Sequence, residues 1–65
     1  METKTVKERI RETRKEQNLT QKQLAEKIGY TQQTVADWEA GNIRPTSDAI
    51  IALCKALEVS ADYLL

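Results

Sequence analysis

Two adjacent glutamines, Gln32 and Gln33, carry the side chains of this sequence that best suit a specific chemical task. A primary amide both donates and accepts hydrogen bonds, and a glutamine can form a paired hydrogen bond to N6 and N7 of adenine in the DNA major groove. Ala36 and Asp37 follow one turn later on the same predicted helix face. A solvated face more often carries Glu and Lys, so this face indicates a surface that reads base edges.

The apolar residues around these glutamines predict two short helices that meet at a tight turn. Leu24 and Ile28 are four residues apart and share one face of the first helix. Val35 and Trp38 are three apart and share the inner face of the second. Gly29, between the two pairs, suits the left-handed conformation at which many helices end. Two core helices of a small bundle would show the same spacing, but the outward glutamines favour a helix-turn-helix whose second helix probes the major groove.

Polar residues at the predicted helix ends support this arrangement. Thr20 and Gln23 have the spacing of a capping box, and Thr31 suits the position just before the second helix. Gly41 is placed to end that second helix. We therefore place a helix-turn-helix at residues 20–39.

Further helices are predicted outside that segment, so the expected fold is all-α with five short helices. A capping box at Thr5 opens a helix over residues 6–17. Thr46 begins a fourth helix, and Ser60 begins a short last turn over residues 61–65. The inward-facing side chains predicted in these parts are Val6, Ile10, Thr13, Gln17, Leu19, Ile50, Leu53, Cys54, Leu57, Tyr63 and Leu64.

Length and composition limit the class of protein. The 65 residues are expected to form one domain, residues 1–65, that buries only about 60% of its unfolded surface. A single cysteine excludes an internal disulfide, and the longest apolar run, Ala49–Cys54, is too short to cross a bilayer. The N-terminus shows no secretory signal, so we expect a cytoplasmic protein.

The formal charge is zero, but its distribution is uneven. Residues 1–30 hold eight Lys and Arg against five Asp and Glu, whereas residues 31–65 hold two against five. The basic half contains the first helix and the start of the second, where a phosphate backbone would lie. The outer face of the first helix alternates charges, which by default indicates solvation and local pairing.

The sequence resembles the Cro/CI-type helix-turn-helix family of phage repressors and bacterial transcriptional regulators. The resemblance is carried by LTQKQLAEKIGYTQQTVADWEAGNIRP and by the later helix ending ALEVSADYLL, and it extends from about Val6 to Leu65. It implies a five-helix lambda-repressor-like DNA-binding domain whose third helix enters the major groove. It also implies a sequence-specific regulator, most simply a repressor, that binds a two-fold symmetric double-stranded DNA operator as a homodimer.

The resemblance further implies which residues contact DNA. Gln32 and Gln33 would read bases, with Ala36 and Asp37 next along the groove. Phosphate contacts are implied for Thr20, Gln21, Thr31, Thr34, Asn42 and Arg44. The free N–H groups at a helix start agree with phosphate binding at Gln21. Asp37 leaves three alternatives: it accepts from cytosine N4, it penalises other sites, or the helix binds another partner.

An ion pair between Arg14 of the first helix and Glu39 of the third is also implied by the resemblance. Glu39 lies in the last turn of its helix, where the helix dipole disfavours a negative charge. A nearby cation is therefore expected on physical grounds as well. We interpret the pair as structural.

The surface that would join two copies is less defined. Ile51, Val59 and Leu65 are the apolar residues predicted to be available for it. Isolated exposed apolar residues are also common in monomers, so both interpretations stay open.

The sequence is also compatible with a second class of function. The same fold would also serve a protein-interaction module, such as an antitoxin or an adaptor, that binds through its acidic second half. DNA binding weakens steeply with salt, whereas binding to a protein partner would lack that dependence.

An enzyme is not expected. The chain has no histidine, no cluster of metal ligands and no glycine-rich phosphate loop, so neither a metal nor a cofactor is predicted. Ser47 and Ser60 lie at helix starts, and Cys54 lies in an apolar stripe. Neither a membrane contact nor a small-molecule site is predicted.

Overall fold

The computed structural model describes residues 5–65 and contains five α-helices in that range. They are α1 (Val6–Glu16), α2 (Gln21–Ile28), α3 (Gln32–Ala40), α4 (Ser47–Leu57) and α5 (Ala61–Leu64). No strand occurs between residues 5 and 65, and the predicted all-α fold of five helices is confirmed. The first and last helices each end one residue earlier than the sequence pattern predicts.

Hydroxyl side chains begin helices α2 to α5. Thr20, Thr31, Thr46 and Ser60 each accept a hydrogen bond from the backbone N–H three residues later. At α2 the cap is reciprocal, because the Gln23 side chain accepts from the Thr20 backbone N–H at 2.9 Å. These bonds satisfy N–H groups that have no partner within the helix, and they start α2 and α3 where the sequence predicts.

Residues in the left-handed conformation end several helices. Gly29 (φ 77°) ends α2 and Gly41 (φ 82°) ends α3, as predicted. Asn18 (φ 59°) follows α1, and Glu58 (φ 56°) ends α4. The turn at Glu58 gives no signal in the sequence, because a residue with a Cβ is disfavoured in this conformation.

One hydrophobic core joins the helices. α2 packs chiefly against α3, while α4 packs against α1, α2 and α5. Tyr30, in the turn between α2 and α3, meets Trp38 edge-on, with ring centroids 5.1 Å apart. The buried apolar side chains are those of Ile10, Leu24, Ala25, Val35, Trp38, Ala49, Ile50, Leu53, Leu57 and Leu64.

Tyr63 does not close the core, so that part of the prediction is wrong. Leu64 is fully buried, but Tyr63 is 40% exposed. The guanidinium carbon of Arg9 lies over the Tyr63 ring, 5.3 Å from its centroid. A cation over the ring face and a phenol that prefers water both favour the surface position.

Four other predicted inward-facing residues lie at the margin of the core. Val6, Leu19 and Cys54 are half-buried and pack against its edge. Gln17 is exposed, although its side-chain amide donates to the Leu57 carbonyl and so ties the end of α1 to the end of α4. In so short a chain the core is thin, and an apolar stripe on a helix is wider than the surface that its neighbours can cover.

None of the helices between residues 5 and 65 has the length and apolar character that crossing a bilayer requires. The longest, α1 and α4, have 11 residues each. A spanning helix needs about 20.

Thr13 allows a test of this packing. Its side chain is 2% exposed, and its hydroxyl has no hydrogen-bond partner among the residues that the structure describes. Thr13→Val removes the unpaired hydroxyl at nearly constant shape, so it should raise the free energy of unfolding by about 1 kcal/mol.

The matched control is Thr20→Val, in which the hydroxyl that caps α2 is lost. This change should lower the free energy of unfolding by about 1 kcal/mol. Urea unfolding followed by circular dichroism measures both variants. A loss of stability in Thr13→Val as large as that in Thr20→Val would contradict the packing described for α1.

Candidate nucleic-acid interface

The exposed face of α3 begins with the two glutamines. Val35 is fully buried and Trp38 is 3% exposed, so α3 is held with Gln32 and Gln33 on its exposed side. Both glutamines lie in the first turn, directly after the Thr31 cap. The N-terminal end of a helix carries a partial positive charge, which suits the approach of a polyanion. The structure thus makes both predicted base readers accessible.

Asp37 is less free than the sequence suggests. It is half-buried, as is its neighbour Ala36. Its carboxylate Oδ1 accepts from Gln33 Nε2 at 3.2 Å and from Asn42 Nδ2 at 3.5 Å. This cluster is not among the contacts predicted from the sequence, although Gln and Asp four residues apart on a helix have the spacing for such a bond.

Arg14 and Glu39 meet in a bidentate ion pair between α1 and α3. The Arg14 Nε lies 2.7 Å from Glu39 Oε2, and Nη2 lies 2.9 Å from Oε1. Arg14 Nη1 donates to the Leu19 carbonyl at 2.8 Å, so the same guanidinium also holds the α1–α2 connection. The two side chains are 10% and 5% exposed. The hydrogen bond to Glu39 raises the pKa of the Arg14 guanidinium further above its ordinary value, so the guanidinium stays charged.

Gln21 makes a contact within the protein that the resemblance did not imply. Its side-chain Nε2 donates to Glu39 Oε1 at 3.1 Å, and the residue is half-buried. Glu39 therefore receives hydrogen bonds from α1 and from α2 at once. The side chain of Gln21 thus links the start of α2 to α3.

The other predicted phosphate-contacting residues lie at helix starts and in one loop. Thr20 and Thr31 are exposed caps of α2 and α3, and Asn42 and Arg44 are exposed in the α3–α4 loop. Thr34 is half-buried, and its hydroxyl oxygen lies 2.9 Å from that of Thr31. Four of these five side chains are accessible to a nucleic-acid backbone.

A shallow cleft between α1, α2 and α3 brings two more cations to this side of the molecule. Arg11 and Lys15 are exposed at its edge. They lie beside α3, which has no Lys or Arg of its own. The charge alternation of α1 does not reveal this neighbour, because the packing of α1 against α3 is a tertiary contact. The cleft is lined by Arg11, Arg14, Lys15, Gln21, Ala36, Glu39 and Ala40.

The acidic groups of this surface take part in hydrogen bonds within the protein. Within residues 5–65, His, Cys, Asp and Glu form no group that could hold a metal ion. The carboxylates of Asp37 and Glu39 already accept hydrogen bonds from amide and guanidinium groups.

Known proteins with similar sequences belong to one family of regulators. Residues 10–64 match the sequence profile of the family described as Helix-turn-helix. The Repressor protein C2 of Salmonella phage P22 is 37% identical over 65 residues, which cover 100% of this chain and 30% of that protein. The HTH-type transcriptional regulator DicA of Escherichia coli (strain K12) is 40% identical over 67 residues, covering 100% of this chain and 50% of the relative. The chain thus spans half or less of the length of these two relatives.

Among solved structures, the crystal structure of the P22 c2 repressor in complex with the synthetic operator 9T superposes with a TM-score of 0.91. The identity is 36%, and the superposition covers 97% of this chain and 96% of that one. These matches confirm both the resemblance to Cro/CI-type regulators and the lambda-repressor-like fold that the sequence predicts.

Removing the cation of the ion pair should destabilise the fold. Arg14→Met leaves the almost buried Glu39 carboxylate with the Gln21 amide in place of a full charge partner. The expected loss in free energy of unfolding is about 3 kcal/mol, measured by urea unfolding.

Adding Glu39→Gln to Arg14→Met should recover part of that loss, because the double variant no longer buries an unpaired charge. If Arg14→Met unfolds at the same urea concentration as the parent chain, the pair is not structural.

Proposed function

Because the chain belongs to the helix-turn-helix family, we propose that it is a sequence-specific double-stranded DNA-binding regulator of transcription, and most simply a repressor. The observation that carries the proposal is the exposed pair Gln32 and Gln33 on a helix whose opposite face is buried. The likeness to a repressor solved with its operator supports it. The chain acts in the cytoplasm, by binding and not by catalysis, and it uses no cofactor.

In this mechanism α3 enters the major groove. The amide of each glutamine accepts a hydrogen bond from N6 of adenine and donates one to N7 of the same base. No other base presents this donor and acceptor together in the major groove. Ala36, small and half-buried, lies one turn further along and leaves room for a base edge or a thymine methyl group.

Contacts to the phosphate backbone set the position of α3 in the groove. The start of α2 offers the Thr20 hydroxyl and the backbone N–H of Gln21, and the starts of helices favour anions. On the other side of α3, Asn42 and Arg44 project from the exposed loop. Thr31 and Thr34 contribute hydroxyls between these two regions. Such contacts give affinity and register but carry little sequence information.

The acidic residues of α3 do not prevent this approach. Glu39 is neutralised by Arg14, and the carboxylate of Asp37 accepts hydrogen bonds from two side-chain amides. Arg11 and Lys15 at the edge of the neighbouring cleft add positive potential beside the helix. The total number of cations remains small, so a single domain should bind weakly.

We infer a homodimer, at least on DNA, because two domains double the number of phosphate contacts. Two of the predicted contact residues suit this role: Ile51 is 54% exposed, Leu65 is 68% exposed, and both border one cleft beside the start of α4. Val59 does not suit it, because it is half-buried and packs against the core. Two copies related by a two-fold axis would contact half-sites about 34 Å apart.

Two substitutions separate base reading from phosphate binding. Gln33→Ala should weaken binding by about 1–3 kcal/mol and relax the base preference at one position of the half-site. Arg44→Ala should weaken binding to all duplexes alike and reduce the slope of log affinity against log salt by about 1. Fluorescence anisotropy on duplexes with each base pair varied, at several salt concentrations, measures both effects.

Lys55→Ala is the control, because Lys55 is an exposed cation that lines a different cleft, between α2 and α4. It should change neither quantity. If Gln33→Ala and Arg44→Ala lost the same affinity on every duplex, the roles assigned to the two residues would be wrong. Failure to bind any duplex, even at low salt, would instead favour a protein partner.

A further inference from the structure

We propose that Asp37 is a positioning residue that orients the amide of Gln33 for base reading, and that it does not itself read a base. The proposal rests on the function proposed above and assigns a part of its specificity. The starting observation is the hydrogen bond of 3.2 Å from Gln33 Nε2 to Asp37 Oδ1, one helical turn apart on the exposed side of α3.

The chemistry of the two groups determines which way the amide faces. An ionised carboxylate only accepts hydrogen bonds, so the atom of Gln33 that meets it must be the NH₂ nitrogen and not the oxygen. The Gln33 oxygen then remains available as an acceptor, and the second N–H remains available as a donor. An acceptor and a donor side by side are what the N6–H and N7 of adenine require. The reversed amide would offer the opposite order.

The carboxylate is itself held from the loop side. Asn42 Nδ2 lies 3.5 Å from the same Oδ1, and the backbone N–H of Asn42 donates to the Asp37 carbonyl at 3.0 Å. Asp37 is half-buried, whereas Gln33 is exposed. A partly fixed acceptor therefore restrains a longer and more flexible side chain. Restraining that side chain before DNA arrives lowers the conformational entropy that binding would otherwise remove.

The same arrangement accounts for an acidic residue beside a groove that is lined with phosphates. A free carboxylate there would be repelled unless a cytosine N4 donated to it. Here the donors come from the protein, so no cytosine is required. The remaining negative charge weakens binding to every duplex to a similar extent, which favours sites where the glutamine contacts are complete.

Gln32 provides an internal comparison. It has the same side chain, lies in the same turn and is exposed, but its amide has no hydrogen-bond partner among residues 5–65. A substitution at position 37 should therefore affect the preference for the base that Gln33 reads and leave the preference for the base that Gln32 reads unchanged.

The test compares Asp37→Ala with Asp37→Asn. Each variant is bound to duplexes in which every base pair of the half-site is varied in turn, and the positions read by each glutamine are identified first from Gln32→Ala and Gln33→Ala. Asp37→Ala should reduce the adenine preference at the Gln33 position by about threefold to tenfold, the worth of one hydrogen bond. Asp37→Asn keeps an acceptor oxygen but adds an NH₂ donor that can hold the Gln33 amide the other way round, so it should retain only part of that preference.

Both variants remove one negative charge, so both should bind unrelated duplexes more tightly to a similar extent, and the base preference at the Gln33 position is therefore measured relative to an unrelated duplex. In a Gln33→Ala background, Asp37→Ala should have no further effect on base preference, because Asp37 acts through Gln33. Thermal unfolding of each variant checks that the domain stays folded. If Asp37→Ala does not fold, Asp37→Asn can still be compared with the parent chain.

Three results would overturn the proposal. The first is an unchanged preference at the Gln33 position in Asp37→Ala. The second is a cytosine preference at another position that both variants lose, since this would make Asp37 a base reader. The third is a loss at the Gln33 position that persists in the Gln33→Ala background. A parent protein that prefers no base at any position is a different result, because it would contradict the proposed function itself.

Discussion

The contact between Arg14 and Glu39 is the interaction on which the rest of this small domain depends. Glu39 lies in the last turn of α3, where the helix dipole makes a negative charge unfavourable. Arg14 from α1 and Gln21 from α2 both donate to its carboxylate, and Arg14 also binds the Leu19 carbonyl. One carboxylate thus fixes α3 relative to the two preceding helices. Without it, the buried face of α3 would still pack, but its rotation and tilt would be less strictly defined.

A neutral chain without a cation on α3 is at first sight poorly suited to the DNA binding proposed for it. The structure resolves this through internal pairing, because Glu39 is matched by Arg14, and Asp37 accepts from Gln33 and Asn42. The exposed polar atoms that remain on α3 are then mostly neutral amides. The exposed face of α3 itself attracts phosphates only weakly, so in the proposed function the phosphate contacts come from the start of α2 and from the α3–α4 loop, and α3 adds base contacts. Such a surface favours discrimination between base sequences over high affinity for DNA in general.

Much of the fold can be predicted from sequence because the starts and ends of its helices are determined by neighbouring residues. Thr20 and Thr31 start their helices, and Gly29 and Gly41 end them, through bonds and backbone angles within four residues. The outward position of Gln32 and Gln33 follows from the same periodicity. The bond from Gln21 to Glu39 and the cleft that brings Arg11 beside α3 could not be predicted, because they depend on how separate helices meet. The left-handed conformation of Glu58 could not be predicted, because a residue with a Cβ disfavours a positive φ.

The most direct test of the central claim is selection of a random duplex library on the purified 65-residue chain at moderate salt, with sequencing of the bound pool. A two-fold motif that contains paired adenines, with half-sites about one helical turn apart, is the predicted result. Enrichment of a single half-site would retain the base-reading role of α3 but contradict dimerisation by this domain. A bound pool with no enriched sequence would contradict sequence-specific DNA binding and direct attention to a protein partner.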